Sequence, residues 1–269
     1  MKKIFCIAML CALFVSCEKN IGPEPENQAS KYACELPASY VNGKQAWVPG
    51  DKILVHGEYS KDQVIFTLTP ADISDDGKTC YVSVAGIAPY EQKIVKSKFY
   101  AAYPADLVSN SSQCKDINSF KGTNALLMSG YDNGKKFVME SRVGGVAFTV
   151  SGDFDAYELY GNNGEILGYT SLTSQVNTNS KLYAKSRGTN VYTVKGKLVA
   201  DGNSLNHVCF PDQPVLTDGF YMVLYKGGNA VKRFYTEDRF EVKRSQFIDL
   251  GDITSKLQDY NQAADSHVS

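Results

Sequence analysis

Residues 220–225 read Phe220-Tyr-Met-Val-Leu-Tyr225, a run in which both alternate sets of side chains are large and mainly apolar. Successive side chains of a β-strand point to opposite faces of its sheet, so this run predicts a strand that is covered on both faces. Near-continuous apolar runs of this kind are typical of strands at the centre of a sheet. The stretch therefore indicates a fold of stacked β-sheets.

Apolar and aromatic side chains alternate with polar ones in many other short segments. The 269 residues include 17 Tyr and 13 Phe, mostly in short runs bounded by Gly, Asn, Asp and Pro. Such runs are typical of half-buried strands. No segment keeps an apolar repeat of 3.6 residues, so we expect no helix beyond a turn or two near residues 254–258. The predicted strands cover residues 31–36, 52–59, 63–69, 80–85, 98–103, 124–128, 136–140, 146–150, 157–160, 165–170, 181–184, 191–199, 207–210, 220–225, 230–236 and 240–250.

Glycine-containing turn signals separate several of these strands. Asn163-Gly164 lies between the ninth and tenth predicted strands, and this pair favours a tight hairpin because both turn positions need positive φ. Asp132-Asn-Gly134 is placed to join the sixth strand to the seventh, and Asp76-Gly77 favours a tight connection between the third and the fourth. Residues 105–122 are polar and show no periodicity, so we expect a long surface loop there.

The start of the chain has the composition of an export signal. Met1-Lys-Lys3 precedes an apolar run from Ile4 to Val15, which is too short to span a bilayer, and Ser16 is small. The segment ending at Cys17 is similar to a bacterial lipobox, in which the cysteine is diacylated and becomes the new N-terminus. We therefore expect a signal peptide at 1–16, lipidation of Cys17 and stable attachment of its acyl chains to a membrane, which the family resemblance described below implies is the outer membrane. The alternative is an ordinary cleaved signal with a chance cysteine.

The remainder of the chain divides by composition into a tether, two β regions and a tail. Residues 17–30 contain two prolines and too little apolar surface for a core, so they predict an acylated tether. Several short strands separated by turns argue for β-sandwiches, and the length is above that of a typical single domain. We place an N-terminal β-sandwich at 31–142, a C-terminal β-sandwich at 143–258 and a polar tail at 259–269.

Four of the seven cysteines belong to the predicted folded part of the exported chain. They can pair in three ways, and the sequence does not choose among the pairings. The alternative is that some are small buried apolar residues, because a chain of this length can form a core without disulfides. No two of them have the C-x-x-C spacing of a redox or zinc site. The four are Cys34, Cys80, Cys114 and Cys209.

Residues that usually carry catalysis are few and form no known motif. The chain has three His residues, and its sequence contains no His-Glu-x-x-His, Gly-x-Ser-x-Gly, phosphate-loop or dinucleotide-binding pattern. His207 and Cys209 stand two apart on a predicted strand and so share a face, which we interpret as a buried pair rather than as a base with its nucleophile. We therefore expect no enzymatic activity and no cofactor.

Two further patterns have a plain structural interpretation beside a functional one. Asp72-Ile-Ser-Asp-Asp-Gly77 begins like a calcium-binding loop, but position twelve of that pattern is Ser83 rather than Glu, so we expect a simple turn and no metal. Trp47 could stack on a sugar or a partner protein, and core packing is the preferred interpretation.

The charge is balanced, with 28 Lys and Arg against 29 Asp and Glu, so we expect no nucleic-acid partner.

Several segments taken together resemble a known family. They are Ala46-Trp-Val-Pro-Gly-Asp-Lys-Ile-Leu-Val55, Phe99-Tyr-Ala-Ala-Tyr-Pro104, Arg142-Val-Gly-Gly-Val-Ala-Phe-Thr-Val150, Tyr157-Glu-Leu-Tyr-Gly-Asn-Asn-Gly-Glu-Ile-Leu-Gly168 and Phe240-Glu-Val-Lys-Arg-Ser-Gln-Phe-Ile-Asp-Leu-Gly251. In order and spacing they resemble the fimbrillin-like proteins of Bacteroidales. The resemblance implies a surface lipoprotein with two tandem transthyretin-like β-sandwich domains. It also implies a pilus subunit or adhesin whose partners are other fimbrial subunits or ligands on host or bacterial surfaces.

The resemblance also implies a mode of assembly. In polymerising members a protease removes the first strand, and a strand from a neighbouring subunit fills the vacated groove by β-augmentation. Carried onto this chain, Lys44 is the candidate cleavage residue, as the only basic residue in the loop after the first strand. Those members are usually cut after arginine, and no arginine precedes Arg142, which leaves room for an anchor or tip role. The strand that would be exchanged, and the candidate donor strand, is Lys31, Tyr32, Ala33, Cys34, Glu35 and Leu36.

The same sequence features leave a second class of function open. A glycan-binding surface lipoprotein would share the export signal and the Tyr-rich β-sandwich composition. A hydrolase is a third class, and the sequence shows no set of acid, base and nucleophile for it. Binding of labelled polysaccharide would favour the second class, and laddering after limited proteolysis would favour the first.

The lipidation prediction can be tested at Cys17. In Cys17→Ser the thiol that receives the acyl chains is gone, so the protein should leave the outer-membrane fraction and appear in the soluble fraction. Fractionation and immunoblotting measure this, with Cys11→Ser, inside the discarded signal, as the control. A Cys17→Ser protein that still fractionates with the outer membrane would show that the lipobox prediction is wrong.

Overall fold

The computed structural model describes residues 30–38, 42–57, 63–87, 99–109, 116–121, 124–176 and 182–261. These residues form an all-β fold, as predicted, with short 3₁₀ turns at Pro70–Asp72, Ala105–Leu107 and Thr254–Lys256. The predicted signal peptide, Cys17, Cys114 and the tether up to residue 29 lie outside the described residues. Among the helices described, none has the length and apolarity to cross a membrane.

The strands follow one another along the described chain, and most are short. In order they are β1 Lys31–Glu35, β2 Lys52–His56, β3 Gln63–Thr67, β4 Thr79–Ser83, β5 Tyr100–Tyr103, β6 Val108–Ser109, β7 Asp116–Lys121, β8 Met128–Asp132, β9 Lys136–Ser141, β10 Gly144–Thr149, β11 Ala156–Gly161, β12 Gly168–Val176, β13 Leu182–Val191, β14 Thr193–Lys197, β15 Asn206–Phe210, β16 Val215–Leu216, β17 Phe220–Lys226, β18 Asn229–Thr236, β19 Phe240–Glu241, β20 Phe247–Asp252 and β21 Gln258–Asp259.

Strand β17 occupies the central position that the sequence predicts. It is third in a five-stranded sheet of order β14-β11-β17-β18-β21 and pairs antiparallel with β11 and β18. Phe220 and Met222 point into a core, while Tyr221 and Val223 on the opposite face are also buried. Burial on both faces explains why the strand has no polar alternation.

The largest sheet has seven strands in the order β3-β2-β5-β8-β9-β1-β4. Its pairs are antiparallel except β1 with β9, which is parallel. Smaller sheets have the orders β13-β12-β7-β6, β15-β10-β20 and β16-β19. The first strand of the described residues therefore lies inside the largest sheet, between two strands that come later in the sequence.

Two hydrophobic clusters share the sheet that contains β10 and β15. Trp47, Met128 and Phe137 belong to the first cluster, and Phe148 and Phe220 to the second. Side chains of β10 and β15 alternate between the two clusters, because neighbouring residues of a strand face opposite ways. Ala147 and Cys209 face the first cluster; Val146, Phe148, Val208 and Phe210 face the second.

A backbone ladder also joins the two halves of the chain. Strand β7 pairs antiparallel with β12, with Phe120 opposite Leu172, and both side chains are buried in the first cluster. The side chain of Asn124 adds a bridge between the halves. Its amide donates to the Tyr157 hydroxyl at 2.6 Å, and its carbonyl accepts from the Cys209 backbone N–H at 2.9 Å. The predicted boundary between 31–142 and 143–258 falls between β9 and β10, and these contacts join the segments on either side of it.

Several predicted connections are wrong because pairing is set by core contacts rather than by the turn. Asn162–Gly164 does form a turn, with Gly164 at φ +66°, but β11 and β12 go to different sheets. The Asp76-Gly77 turn closes locally, with the Ser74 N–H donating to the Thr79 carbonyl at 2.9 Å, whereas β3 and β4 lie at opposite edges of the largest sheet. Asn133-Gly134 does join a hairpin, between β8 and β9.

Other predicted segments differ in their bounds. The expected surface loop at 105–122 contains β6 and β7, which pair with each other. The predicted strand at 124–128 is displaced, since β8 begins at Met128, and the predicted strand at 240–250 is divided into β19 and β20. Asp259, the first residue of the predicted polar tail, belongs to β21 and pairs with Lys232 of β18. The loop and the tail therefore contain short strands that the sequence pattern did not predict.

The shared ladder predicts that the two clusters unfold together. Phe120→Ala removes a fully buried ring at the β7–β12 pair and should lower the free energy of unfolding by about 3–5 kcal/mol. Urea unfolding followed by fluorescence of the single Trp, in the first cluster, and by far-UV circular dichroism should give coincident curves. Ile65→Ala, at an exposed position, is the control. Separate transitions from the two probes would contradict a joint unfolding unit.

Candidate strand-exchange site

Strand β1 is inserted in the largest sheet with a neighbour on each side. It pairs antiparallel with β4 over five residues, from Lys31 opposite Ser83 to Glu35 opposite Thr79. On its other side it runs parallel to β9, and the Ala33 N–H donates to the Lys135 carbonyl at 3.0 Å. Removal of β1 would therefore leave two unpaired strand edges facing one another, which is the geometry that accepts an added strand.

The side chains of β1 contribute a modest apolar anchor. Cys34 is the one residue of the strand that is classed as buried, and Tyr32 and Leu36 on the same face are partly buried against the first cluster. The Tyr32 ring packs edge-on to Phe99, with centroids 5.6 Å apart, and lies 5.3 Å from the Phe137 ring. On the outer face Glu35 pairs with Lys136 of β9. Backbone hydrogen bonds are therefore the main link between β1 and the sheet.

Trp47 connects the loop after β1 to β1 itself. Its indole N–H donates to the Cys34 carbonyl at 3.0 Å, and its backbone N–H donates to the Gly77 carbonyl at 2.8 Å. The side chain is 2% exposed and packs edge-on to the Tyr103 ring at 5.2 Å. The core-packing interpretation of Trp47 is confirmed, and the residue also fastens the following loop to β1.

Lys44, the candidate cleavage residue, is enclosed by the same group of side chains. Its Nζ lies 2.9 Å from Asp51 Oδ2, and its side chain is only 11% exposed. The ammonium is 5.0 Å from the Tyr103 ring centroid and 5.7 Å from that of Trp47, distances typical of cation–π contacts. We call Lys44, Trp47, Asp51 and Tyr103 the lysine cage.

Asp51 holds the lysine cage together through several hydrogen bonds. The Tyr103 hydroxyl donates to Asp51 Oδ1 at 2.8 Å, and the Val48 N–H donates to Oδ2 at 2.9 Å. Burial, together with the neighbouring Asp51 charge, raises the pKa of Tyr103 far above its ordinary value, so the phenol remains a donor. A protease of trypsin type must take the lysine side chain into its own pocket, so the docked loop does not present Lys44. The cleavage assignment stays a prediction, and it requires the loop to open first.

His207 fixes the beginning of the same loop. Its Nε2 lies 2.7 Å from the Asn42 carbonyl oxygen, which can only accept, so this nitrogen carries the proton. The Asn42 amide donates in turn to the Phe247 carbonyl at 3.2 Å. Burial lowers the pKa of His207 despite its bonds to backbone carbonyls, so the ring is neutral at pH 7. The loop is therefore fastened to β15 and β20 as well as to β1.

Cys209, which faces the same cluster, is not arranged as a nucleophile. Burial raises the pKa of its thiol well above the ordinary value, so the thiolate is not formed at neutral pH. Its backbone N–H is bonded to Asn124. Cys209 is buried as interpreted, whereas His207 on the same strand face is half-buried.

The acidic residues that resemble a calcium loop serve local turns. Asp72 accepts from the backbone and hydroxyl of Thr69 at 3.0 and 2.6 Å, and Asp76 accepts from the Ser74 hydroxyl at 2.7 Å. Those hydrogen bonds lower the pKa of both carboxyl groups. Across the described residues, no group of three or more His, Cys, Asp and Glu side chains is placed to hold a metal ion.

A second candidate surface lies on the outer face of the five-stranded sheet. Glu158 of β11 accepts a hydrogen bond from the Tyr225 hydroxyl at 2.6 Å and pairs with Lys195 of β14. Burial tends to raise the pKa of Glu158, but hydrogen bonds from Lys195, Tyr225 and Tyr160 outweigh it and keep the group ionised. The carboxylate lines an open pocket of about 580 Å³ beside Tyr225, Lys195 and Lys197. The Tyr-rich strands left a glycan-binding face open as an alternative to core packing, and the acidic centre of this surface was not predicted.

No protein-family model matches the chain, and no curated protein is significantly similar to it. The resemblance to fimbrillin-like proteins therefore stays a prediction from the quoted motifs. The function must be argued from the contacts of β1 and of the lysine cage.

The lysine cage predicts that proteolysis at Lys44 is slow until Asp51 is removed. Asp51→Ala leaves the buried ammonium without its carboxylate and frees the Tyr103 hydroxyl and the Val48 N–H, so the loop should open more often. Cleavage after Lys44 by a lysine-specific protease under native conditions should be at least about tenfold faster than in the wild type. Mass spectrometry of timed samples gives the rate.

The matched control for that experiment is Asp153→Ala, which removes the partner of the exposed Lys226. This variant loses a surface ion pair, worth about 0–1 kcal/mol, and should leave the rate at Lys44 unchanged. Equal rates in wild type and Asp51→Ala would mean that the cage does not protect the bond.

Proposed function

We propose that the protein is a non-enzymatic, fimbrillin-like surface lipoprotein, a pilus subunit or adhesin that assembles by β-strand exchange. Acyl chains on Cys17 would attach it to the outer membrane. The single observation that carries this proposal is the placement of β1. The first strand after the predicted tether is inserted between β9 and β4, and backbone hydrogen bonds hold it on both sides.

The groove that β1 fills has the properties of a β-augmentation site. Main-chain pairing supplies strength whatever the sequence of the incoming strand, and alternate side chains supply fit. Tyr32, Cys34 and Leu36 face the first cluster at every second position. A strand from a second copy that carries small or aromatic residues at this spacing would contact the same side chains as β1, among them Phe99 and Phe137.

The lysine cage favours an anchor or tip role over a stalk role as the resting form. A stalk subunit must lose its first strand to become a link in a chain, and here the candidate cleavage residue is enclosed. An anchor or tip subunit would keep β1 and the lipid. It would expose the groove only after another event opens the loop.

Strand exchange can be tested with peptides that compete for the groove. We expect the protein, with its thiols kept reduced and after cleavage at Lys44, to form ladders of multimers on gels, and a peptide of residues 30–37 in excess should stop the laddering. The same peptide with Ala33→Pro should not, because proline removes the N–H that donates to Lys135. A cut protein that stays monomeric, or a ladder that ignores the native peptide, would contradict the proposal.

Glycan binding is the second candidate, and the Glu158 pocket is the observation that favours it. An ionised carboxylate surrounded by phenols at an open surface offers acceptors for sugar hydroxyl groups and rings for their apolar faces. Tyr225→Ala removes one such ring and should weaken binding of labelled surface polysaccharides at least about tenfold. Tyr235→Ala, an exposed position outside this pocket, is the control. Equal binding by wild type and Tyr225→Ala would exclude this pocket as the glycan site.

A further inference from the structure

Two of the cysteines that the sequence could not pair lie opposite each other in the sheet. Cys34 of β1 and Cys80 of β4 are partners in the antiparallel register. Both are 0% exposed, and both are free thiols in the structure. The two side chains are close enough that Cys80 adds to the effect of burial in raising the pKa of the Cys34 thiol.

The backbone geometry of this pair suits a cross-strand disulfide. The Leu36 N–H donates to the Lys78 carbonyl at 3.0 Å, and the Val84 N–H donates to the Ser30 carbonyl at 2.8 Å. Hydrogen-bonded pairs alternate along an antiparallel ladder, so Cys34 and Cys80 form a hydrogen-bonded pair, with Cα atoms about 5.5 Å apart. Disulfides are most frequent at Cα separations of about 5.5–6 Å. Opposite Cβ atoms in such a pair are about 5.5 Å apart, against about 3.5–4.5 Å in a disulfide, so the bond needs the two side chains to approach by about 1 Å or more.

Among the described residues, this is the one pair of cysteines in register. Cys209 lies opposite Gly145 of β10 and has no thiol as a partner in its ladder. Its side chain faces the first cluster from a different sheet. Within the described part of the chain, the register therefore favours Cys34 with Cys80 over any pair that includes Cys209.

We propose that Cys34 and Cys80 form a disulfide that locks β1 to β4, a redox latch on the exchangeable strand. The bond itself is inferred from the register and from the burial of both thiols side by side. Its consequence for assembly rests on the proposed strand exchange. A cut after Lys44 would not free β1 while the disulfide is intact, because the cleaved segment would remain attached through Cys34.

The oxidant in this proposal is a disulfide of the exported compartment, carried by a thiol–disulfide oxidoreductase. One thiolate of the pair attacks that disulfide and releases a thiol of the oxidoreductase. The second thiolate then displaces the oxidoreductase from the mixed disulfide. Cys34 and Cys80 lose two protons and two electrons in total, and the oxidoreductase disulfide becomes two thiols.

Burial determines when this reaction can occur. In the docked strand neither sulfur can reach an oxidant, and burial raises the pKa of the Cys34 thiol well above its ordinary value. Oxidation must therefore take place before β1 docks or while β1 is transiently out of the sheet. Once formed, the bond is protected by the same burial, and reduction requires β1 to open.

A peptide map of the full chain tests the bond directly. The protein is recovered from exporting cells in acid, its thiols are blocked with N-ethylmaleimide, and it is digested with trypsin without reductant. We expect the peptide of residues 32–44 linked to that of residues 79–93. Blocked Cys34 and Cys80, or either one linked to Cys114 or Cys209, would overturn the proposal.

A thermal measurement adds a matched control. Reduction of the oxidised wild type should lower Tm by about 5–10 °C, because the cross-link closes a long loop between residues 34 and 80. The Cys34→Ala, Cys80→Ala double variant should show no change on reduction, whereas Cys209→Ala should keep the full shift. A shift that survives in the double variant would assign the stabilisation to another pair and overturn the proposal.

Uptake of the labelled peptide of residues 30–37 tests the latch. The reduced protein should incorporate the peptide, and the oxidised protein should incorporate at least tenfold less. Equal labelling of the two forms would overturn the latch. The peptide map detects the disulfide whether or not the protein assembles. If the map shows Cys34 linked to Cys80 but neither the reduced nor the oxidised protein forms ladders, the disulfide stands and the proposed strand exchange is contradicted.

Discussion

Backbone pairing of β1 between β9 and β4 is the constraint on which the rest of the functional argument depends. The strand is short and has one fully buried side chain, so main-chain hydrogen bonds and a few contacts hold it in place. The indole N–H of Trp47 donates a hydrogen bond to the Cys34 carbonyl, and the Trp47 ring also contacts Lys44 in the lysine cage. The first strand and the loop after it are therefore coupled through one side chain.

The body that β1 leaves behind is extensively connected. The sheet of β10 and β15 serves both hydrophobic clusters, and the β7–β12 ladder ties the early part of the chain to the later part. Most of the buried residues belong to strands other than β1, so both cores keep most of their side chains when the contacts of β1 are discounted. A rigid body with one detachable strand is what strand exchange needs.

The alternation of apolar and polar residues predicted where the strands lie better than it predicted which strands pair with each other. The central position of β17 and the burial of Trp47 followed from apolar patterning alone. The Asn163-Gly164 turn failed as a hairpin signal because β12 has a better partner in β7, where Leu172 is buried against Phe120. The lysine cage depends on Asp51 and Tyr103, which are distant from Lys44 in sequence, so nothing in the local pattern could indicate it. The register that places Cys34 opposite Cys80 also joins residues distant in sequence, so the local pattern could not indicate it either.

Native-state hydrogen exchange tests the central claim, that β1 is a separable strand on a stable body. The Leu36 and Ala33 amides, bonded to the Lys78 and Lys135 carbonyls, should exchange through a local opening. The free energy of that opening should be several kcal/mol below that of global unfolding, which the amides of β17 report. Equal protection of β1 and β17 would mean that the first strand leaves only when the whole molecule unfolds, and would contradict the account.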